Sequence, residues 1–200
     1  RLGYDEIPRR FSDHALTPFG GVGTSVLSLP KGFAASTTGA MPLASTLQAT
    51  DIGYKRSRLD LGATWQGGDD WQISLDARHS ARDGTQRTSG SFFSTAAQLV
   101  APLNQTTDEV TARLSYSGRR LQGSLAYQAS LFRNSDESLT WANPFTAGTI
   151  KTGAGLGQLA LAPDNEFHQL QATLGYQLSA QTRASADIAI GRMTQDAAYL

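Results

Sequence analysis

Polar and apolar residues alternate with a period of two in six stretches of this chain, and the stretches fall into pairs. In the first pair, Leu59, Leu61, Ala63 and Trp65 take one parity, with Arg58, Asp60, Gly62 and Thr64 on the other. Past Gln66-Gly67-Gly68-Asp69-Asp70, the residues Trp71, Ile73, Leu75 and Ala77 alternate with Gln72, Ser74, Asp76 and Arg78. The second pair sets Val110, Ala112, Leu114 and Tyr116 against Glu109, Thr111, Arg113 and Ser115. After a turn at Ser117-Gly118-Arg119-Arg120 it continues with Leu121, Gly123, Leu125, Tyr127, Ala129 and Leu131 opposed to Gln122, Ser124, Gln128 and Ser130. In the third pair, Leu170, Ala172, Leu174 and Tyr176 oppose Gln169, Gln171, Thr173 and Gly175. Its second half places Ala184, Ala186, Ile188 and Ile190 against Arg183, Ser185, Asp187 and Ala189. The pattern predicts three antiparallel hairpins over about 54–79, 108–132 and 167–192, each with one apolar and one polar face.

The connections are unequal. Short turns close each hairpin, while residues 1–53, 80–107 and 133–166 read as long loops joined at the opposite end of the strands. All seven prolines (Pro8, Pro18, Pro30, Pro42, Pro102, Pro144 and Pro163) fall in these long segments and none in a predicted strand. The glycine clusters Gly20-Gly21-Val22-Gly23 and Gly153-Ala154-Gly155-Leu156-Gly157 lie there too. A compact domain rarely carries three connections of such length. Short turns at one end and long loops at the other are the plan of an outer-membrane β-barrel.

The aromatic residues point the same way. Trp65, Trp71, Tyr116 and Tyr176 lie within a few residues of a short turn and share the apolar parity of their strands. On a lipid-facing surface they would form an aromatic girdle at the inner interface. The opposite parity would then line a lumen with Arg58, Asp60, Asp76, Arg78, Glu109, Arg113, Gln122, Gln128, Gln169, Gln171, Arg183 and Asp187. Both signs are represented there, which argues against strong ion selectivity. Alternation by itself also fits a soluble β-sandwich with its apolar face turned inward, so that reading stays open at this point. In some strands the strictly apolar band covers only about seven residues, short of the roughly 9–11 that a tilted spanning strand needs.

Composition narrows the partners. There are 17 basic and 17 acidic residues with no dense basic run, so no nucleic-acid surface is implied. The chain has no cysteine, hence no disulfide, thiolate metal site or covalent haem attachment of its own. No run of 18 apolar residues provides a transmembrane helix, and among spanning structures that leaves strands. Arg1-Leu2-Gly3-Tyr4 reads as the exit of a preceding strand and residues 196–200 as the entry to another outer loop. Six strands fall below the roughly eight of the smallest bacterial barrels, so residues 1–200 are expected to be part of one larger barrel domain.

Candidate chemistry is sparse. His14, His79 and His168 lack metal-ligand spacing, and the glycine clusters match neither a dinucleotide fingerprint nor a Walker loop. Asn104-Gln105-Thr106 fits a glycosylation sequon that a bacterial barrel would make incidental. Asp69-Asp70 and Asp136-Glu137 are explained by turn chemistry, and no serine sits in a nucleophile elbow. Nothing supports enzyme activity, and no catalytic, cofactor-binding or metal residue is assigned.

The long segments carry a resemblance. Tyr4-Asp5-Glu6-Ile7-Pro8-Arg9-Arg10-Phe11, Thr17-Pro18-Phe19-Gly20-Gly21-Val22-Gly23 and Leu27-Ser28-Leu29-Pro30-Lys31-Gly32-Phe33 resemble the MtrB/PioB family of decahaem-associated outer-membrane β-barrels. Asp51-Ile52-Gly53-Tyr54-Lys55-Arg56, Arg82-Asp83-Gly84-Thr85 and Leu159-Ala160-Leu161-Ala162-Pro163-Asp164-Asn165 extend it over most of the chain. The resemblance implies a porin-like sheath in the bacterial outer membrane around a decahaem c-type cytochrome. An outer-surface cytochrome is a second implied partner. Haem would belong to the partner, and this chain would bind no cofactor. A general solute channel or transporter barrel is the alternative function. A soluble β-sandwich adhesin or carbohydrate-binding module is the second alternative.

Overall fold

The computed structural model describes residues 1–92, 95–146 and 155–196. In chain order the strands are β1 (Leu2–Thr17), β2 (Val26–Leu27), β3 (Gln48–Gly67), β4 (Trp71–Phe92), β5 (Thr95–Ser117) and β6 (Leu121–Asn134). They continue with β7 (Ser138–Ala142), β8 (Leu156–Ala160), β9 (Asn165–Gln177) and β10 (Arg183–Gln195). A single helical turn, α1 (Leu43–Thr46), precedes β3. Two sheets result, and they answer to different solvents.

The large sheet has seven strands in the order β1-β3-β4-β5-β6-β9-β10, every neighbouring pair antiparallel. This is an all-β up-and-down arrangement, and the sheet is open, with β1 and β10 at its edges. All three predicted hairpins are present. The turns β3–β4, β5–β6 and β9–β10 lie at one end, as the short connections required.

The long segments are not simple loops. Residues 1–53 contain β1, a seventh strand of the sheet, so Arg1-Leu2-Gly3-Tyr4 does not close a strand but runs into one that continues to Thr17. Residues 80–107 continue the β4–β5 ladder up to Phe92↔Thr95, giving strands of 22 and 23 residues. Two prolines therefore sit in strands after all. Pro8 lies on β1 opposite Lys55, and Pro102 lies on β5 beyond the last β6 partner at Gln105. Pro102 therefore has an unpaired side toward which a residue without an N–H can face.

Segment 133–166 and the stretch after β1 build the second sheet, β2-β7-β8, with β2 parallel to β7 and β7 antiparallel to β8. It forms a cap at the long-connection end. Phe19, Leu27, Leu99, Ala101, Leu139 and Trp141 make its buried core, with Val22, Leu29, Phe92, Ala97, Leu159 and Leu161 packed around them. Trp141 is 3% exposed and meets Phe92 edge-on at 5.7 Å between ring centroids. Gly90 and Gly157 are small for a reason: a side chain on either would run into the Trp141 indole. Of the second glycine cluster, Gly153 and Ala154 lie outside the described residues, as do residues 197–200.

Gly84 marks where the sheet divides. It is the outermost β4 residue paired with β3, opposite Tyr54, and above it β4 keeps only β5 as a neighbour. Its φ of 145° is left to glycine, and a Cβ there would meet the Gly53 carbonyl.

Candidate functional site

Register turns the alternation into two continuous faces. On the polar face, the row Asp60–Arg78–Glu109–Ser130 is followed by Asp76–Thr111–Gln128–Gln169 and then by Ser74–Arg113–Ala126–Gln171. Toward the short turns come Gln72–Ser115–Ser124–Thr173–Asp187 and Gln122–Gly175–Ser185. The twelve polar positions predicted from parity thus share a face with one another.

Most of the charges on this face are paired. Arg58 bonds Asp60 at 2.6 Å, Arg78 bonds the same carboxylate at 2.8 Å, and Arg78 reaches Glu109 at 3.2 Å. The result is an alternating ladder across three strands, with each carboxylate holding a guanidinium of a neighbouring strand. Arg1 bonds Asp76 at 2.9 Å, and Arg183 lies across Gly175 to donate to Gln122 at 2.9 Å. Ser124 and Thr173 share a hydroxyl bond of 2.8 Å. Among the described residues, Arg113 and Asp187 make no ion pair. Parity alone cannot pair Arg1 with Asp76, because β1 carries no clean alternation of its own.

The other face is apolar. Its central rows are Trp65–Ile73–Leu114–Leu125–Ala172–Ile188 and Ala63–Leu75–Ala112–Tyr127–Leu170–Ile190. Trp71 and Tyr116 are register partners with ring centroids 4.8 Å apart, and Tyr176 lies nearer the turns opposite Leu121. Large side chains here are exposed, including Leu61 at 47% and Leu125 at 46%. At the far end, His79 bonds Asp108 at 2.6 Å and His168 bonds the Tyr127 hydroxyl at 2.8 Å. Beyond His168, Arg133 pairs with Glu166; the bond from its guanidinium holds that carboxyl below the usual carboxylate range.

Above Gly84 the polar face changes character. Leu99, Ala101 and Leu103 carry the parity that Gln105, Thr107 and Glu109 carry below, and it is against this upper part that the cap packs. The cap therefore folds over the outer end of the polar side of the sheet. Among the described residues, no three His, Cys, Asp or Glu side chains gather as a metal site.

An open up-and-down sheet with one polar and one exposed apolar face is the geometry of a barrel wall. Comparison with known families decides the case: the outer membrane beta-barrel porin family MtrB/PioB matches residues 1–200. The chain belongs to the MtrB/PioB family. It is accordingly an outer-membrane β-barrel chain, and the soluble sandwich reading falls away. Outer membrane protein MtrB of Shewanella baltica (strain OS185) is 31% identical to it over 203 residues. The match covers all of this chain and 28% of the relative's length. MtrB/PioB proteins are a porin family rather than an enzyme family.

Proposed function

We propose that the polar face is the lumen wall of a porin-like sheath that houses a multihaem c-type cytochrome, supporting electron transfer across the outer membrane. In this reading the twelve polar-face residues face the occupant. The apolar face meets lipid, and Trp65, Trp71, Tyr116 and Tyr176 lie at the inner interface. Haem is carried by the partner alone, and the barrel insulates and positions it.

The observation that carries the reading is the charge-paired wall. Salt bridges pair Arg58, Asp60, Arg78, Glu109 and Asp76, and the twelve polar-face residues balance four basic against four acidic side chains, leaving a hydrogen-bonding surface of mixed sign. A protein occupant can pack on such a wall without meeting a large single-sign field. The lipid side supports it as well. From Tyr176 to Leu61 the register spans five rows dominated by apolar residues, and the next row out, Leu59–His79–Asp108–Leu131–Glu166, is polar. At about 3.4 Å per residue and a tilt near 45°, the five rows stand about 19 Å high, and the polar row lies about 24 Å from the first, at the edge of the apolar band of outer-membrane barrels. Size agrees too. Seven strands occupy 28% of the relative's length, and the same density over a whole chain gives about 25 strands. Barrels of about 22 strands already enclose a folded plug.

Purification of the full-length protein in mild detergent tests the proposal. A co-purifying haem-staining protein with a c-type absorption spectrum is the expected result. A colourless preparation that conducts small solutes overturns it in favour of a solute channel.

A further inference from the structure

The outer end of the polar face holds an arginine cluster that the ladder below does not account for. Register places Arg56 directly opposite Arg82, with Arg58 one row further in. Like charges in directly opposed positions repel, so a sheet that keeps such a pair has something to offset it. The carboxylates at hand are largely committed. Asp60 is shared between Arg58 and Arg78, and Glu109 is bonded to Arg78. Asp5 approaches Arg56 only to 3.6 Å, and the Arg56 Nε is buried without a hydrogen-bond partner. Among the described residues, Arg82 has no acidic partner. The arginines border a concavity of about 410 Å³ that Ser80, Thr107 and Gln105 also line. It lies just inward of Gly84 on the polar face of β3, β4 and β5.

We propose that Arg56, Arg58 and Arg82 form an oxyanion-binding site for a carboxylate or phosphate group. Guanidinium groups present paired N–H donors that match the oxygens of either, and the neighbouring hydroxyl and amide side chains complete the donor set. Two sources offer this chemistry. A carboxylate can be borne by the molecule that fills the lumen, which rests on the function proposed above. A free anion entering from outside does not depend on that function.

The test uses the full-length protein in detergent, alone and with any co-purified lumen partner. Inorganic phosphate is titrated against chloride at matched ionic strength while the thermal midpoint is read. The protein alone should be stabilised saturably, with Arg82→Gln and Arg56→Gln each weakening apparent affinity by about tenfold. Arg119→Gln, in the short-turn end, should match wild type. Without phosphate, Arg82→Gln should be no less stable than wild type, because it relieves repulsion; a structural ion pair would give the opposite sign. A partner complex that no longer responds to phosphate assigns the site to the partner's carboxylate, and an equal response assigns it to a free anion. Failure to isolate a partner removes the sheath proposal but leaves the phosphate titration of the barrel intact. A protein that shows no saturable phosphate effect, or arginine variants that respond as wild type, overturns the site.

Discussion

The lower and upper halves of β4 and β5 are the same two strands, in the same register, yet the face of β5 that is charged and polar below Gly84 becomes apolar above it, opposite polar and small β4 residues. Below, Arg78, Glu109 and Thr111 meet the polar side, and Ile73, Leu75 and Leu114 stand exposed on the other. Above, Leu99 and Ala101 turn to the polar side and are buried beneath Trp141 and Leu139. The cap obeys the rule of water-soluble proteins, with large apolar side chains inside. The large sheet leaves its large apolar residues exposed, and in the proposed barrel lipid is their solvent. One chain thus carries two hydrophobic codes, and the switch falls where neighbouring strands part.

The largest effect should come from removing the cap's centre. Trp141→Ala deletes the largest side chain of that core, a class of change that costs about 3–5 kcal/mol. The loss should stay local, because the seven-strand ladder does not depend on β7. Limited proteolysis of the assembled protein should show faster cleavage around residues 133–146, with the heat-modifiable mobility of the barrel unchanged. Collapse of barrel assembly would mean that the two regions fold as one unit.

The second test contrasts the two faces of one strand. Leu125→Arg places a charge in the middle of the apolar face, which costs about 2–4 kcal/mol at a bilayer midplane. Gln122→Arg, on the polar face of the same strand, should cost far less. Assembly yield into outer membranes or refolding into lipid vesicles measures the difference. Equal tolerance at both positions would overturn the assignment of a lipid side, and the opposite order would reverse it.

These contrasts explain what was legible in the sequence. Leu121 to Leu131, Leu59 to Trp65 and Trp71 to Arg78 alternate because each face keeps one solvent throughout, so the hairpins and their polar sets are read directly. The upper ladder was hidden by a phase change. Between Leu103 and Gln105 the apolar parity of β5 passes to the other face, so a one-phase pattern ends near residue 108. On β4, residues 81–90 are polar or small on both faces, and alternation vanishes although pairing continues. β1 was masked by Pro8 and by its irregular register at Arg10, Ser12 and Ala15, where His14 takes a φ of 75°. The cap is held by contacts between segments more than a hundred residues apart, such as Val26 with Thr140, which no local pattern encodes. The arginine cluster also needed register, since Arg56 and Arg82 look unrelated along the chain.

A smaller effect should come from the junction itself. Gly84→Val forces a β-branched residue into φ 145° against the Gly53 carbonyl, a strain of about 1–3 kcal/mol. The expected outcome is a cap that opens more readily over an intact lower sheet, seen as faster amide exchange in residues 85–103 than in 105–117. Uniform exchange change along β5 would mean that Gly84 is not where the two regimes separate.

The smallest effect concerns pH at the outer rim, where Arg133 and Glu166 join β6 to β9. Because the guanidinium lowers the folded-state value of Glu166, ionisation of that carboxyl favours the folded rim. The contribution is fully present above the ordinary carboxylate range and is lost as pH falls through the depressed folded value. Both groups are open to water, so the pair is worth little and salt should weaken it. Protease sensitivity of the segment around 160–166 should therefore rise as pH drops from about 5 toward 3. Glu166→Gln should remove that part of the response and leave the cap core's own stability unchanged. If the segment responds to pH as strongly in Glu166→Gln as in wild type, the rim is governed by other carboxylates, of which Asp164, 3.6 Å from Arg133, is the next to test.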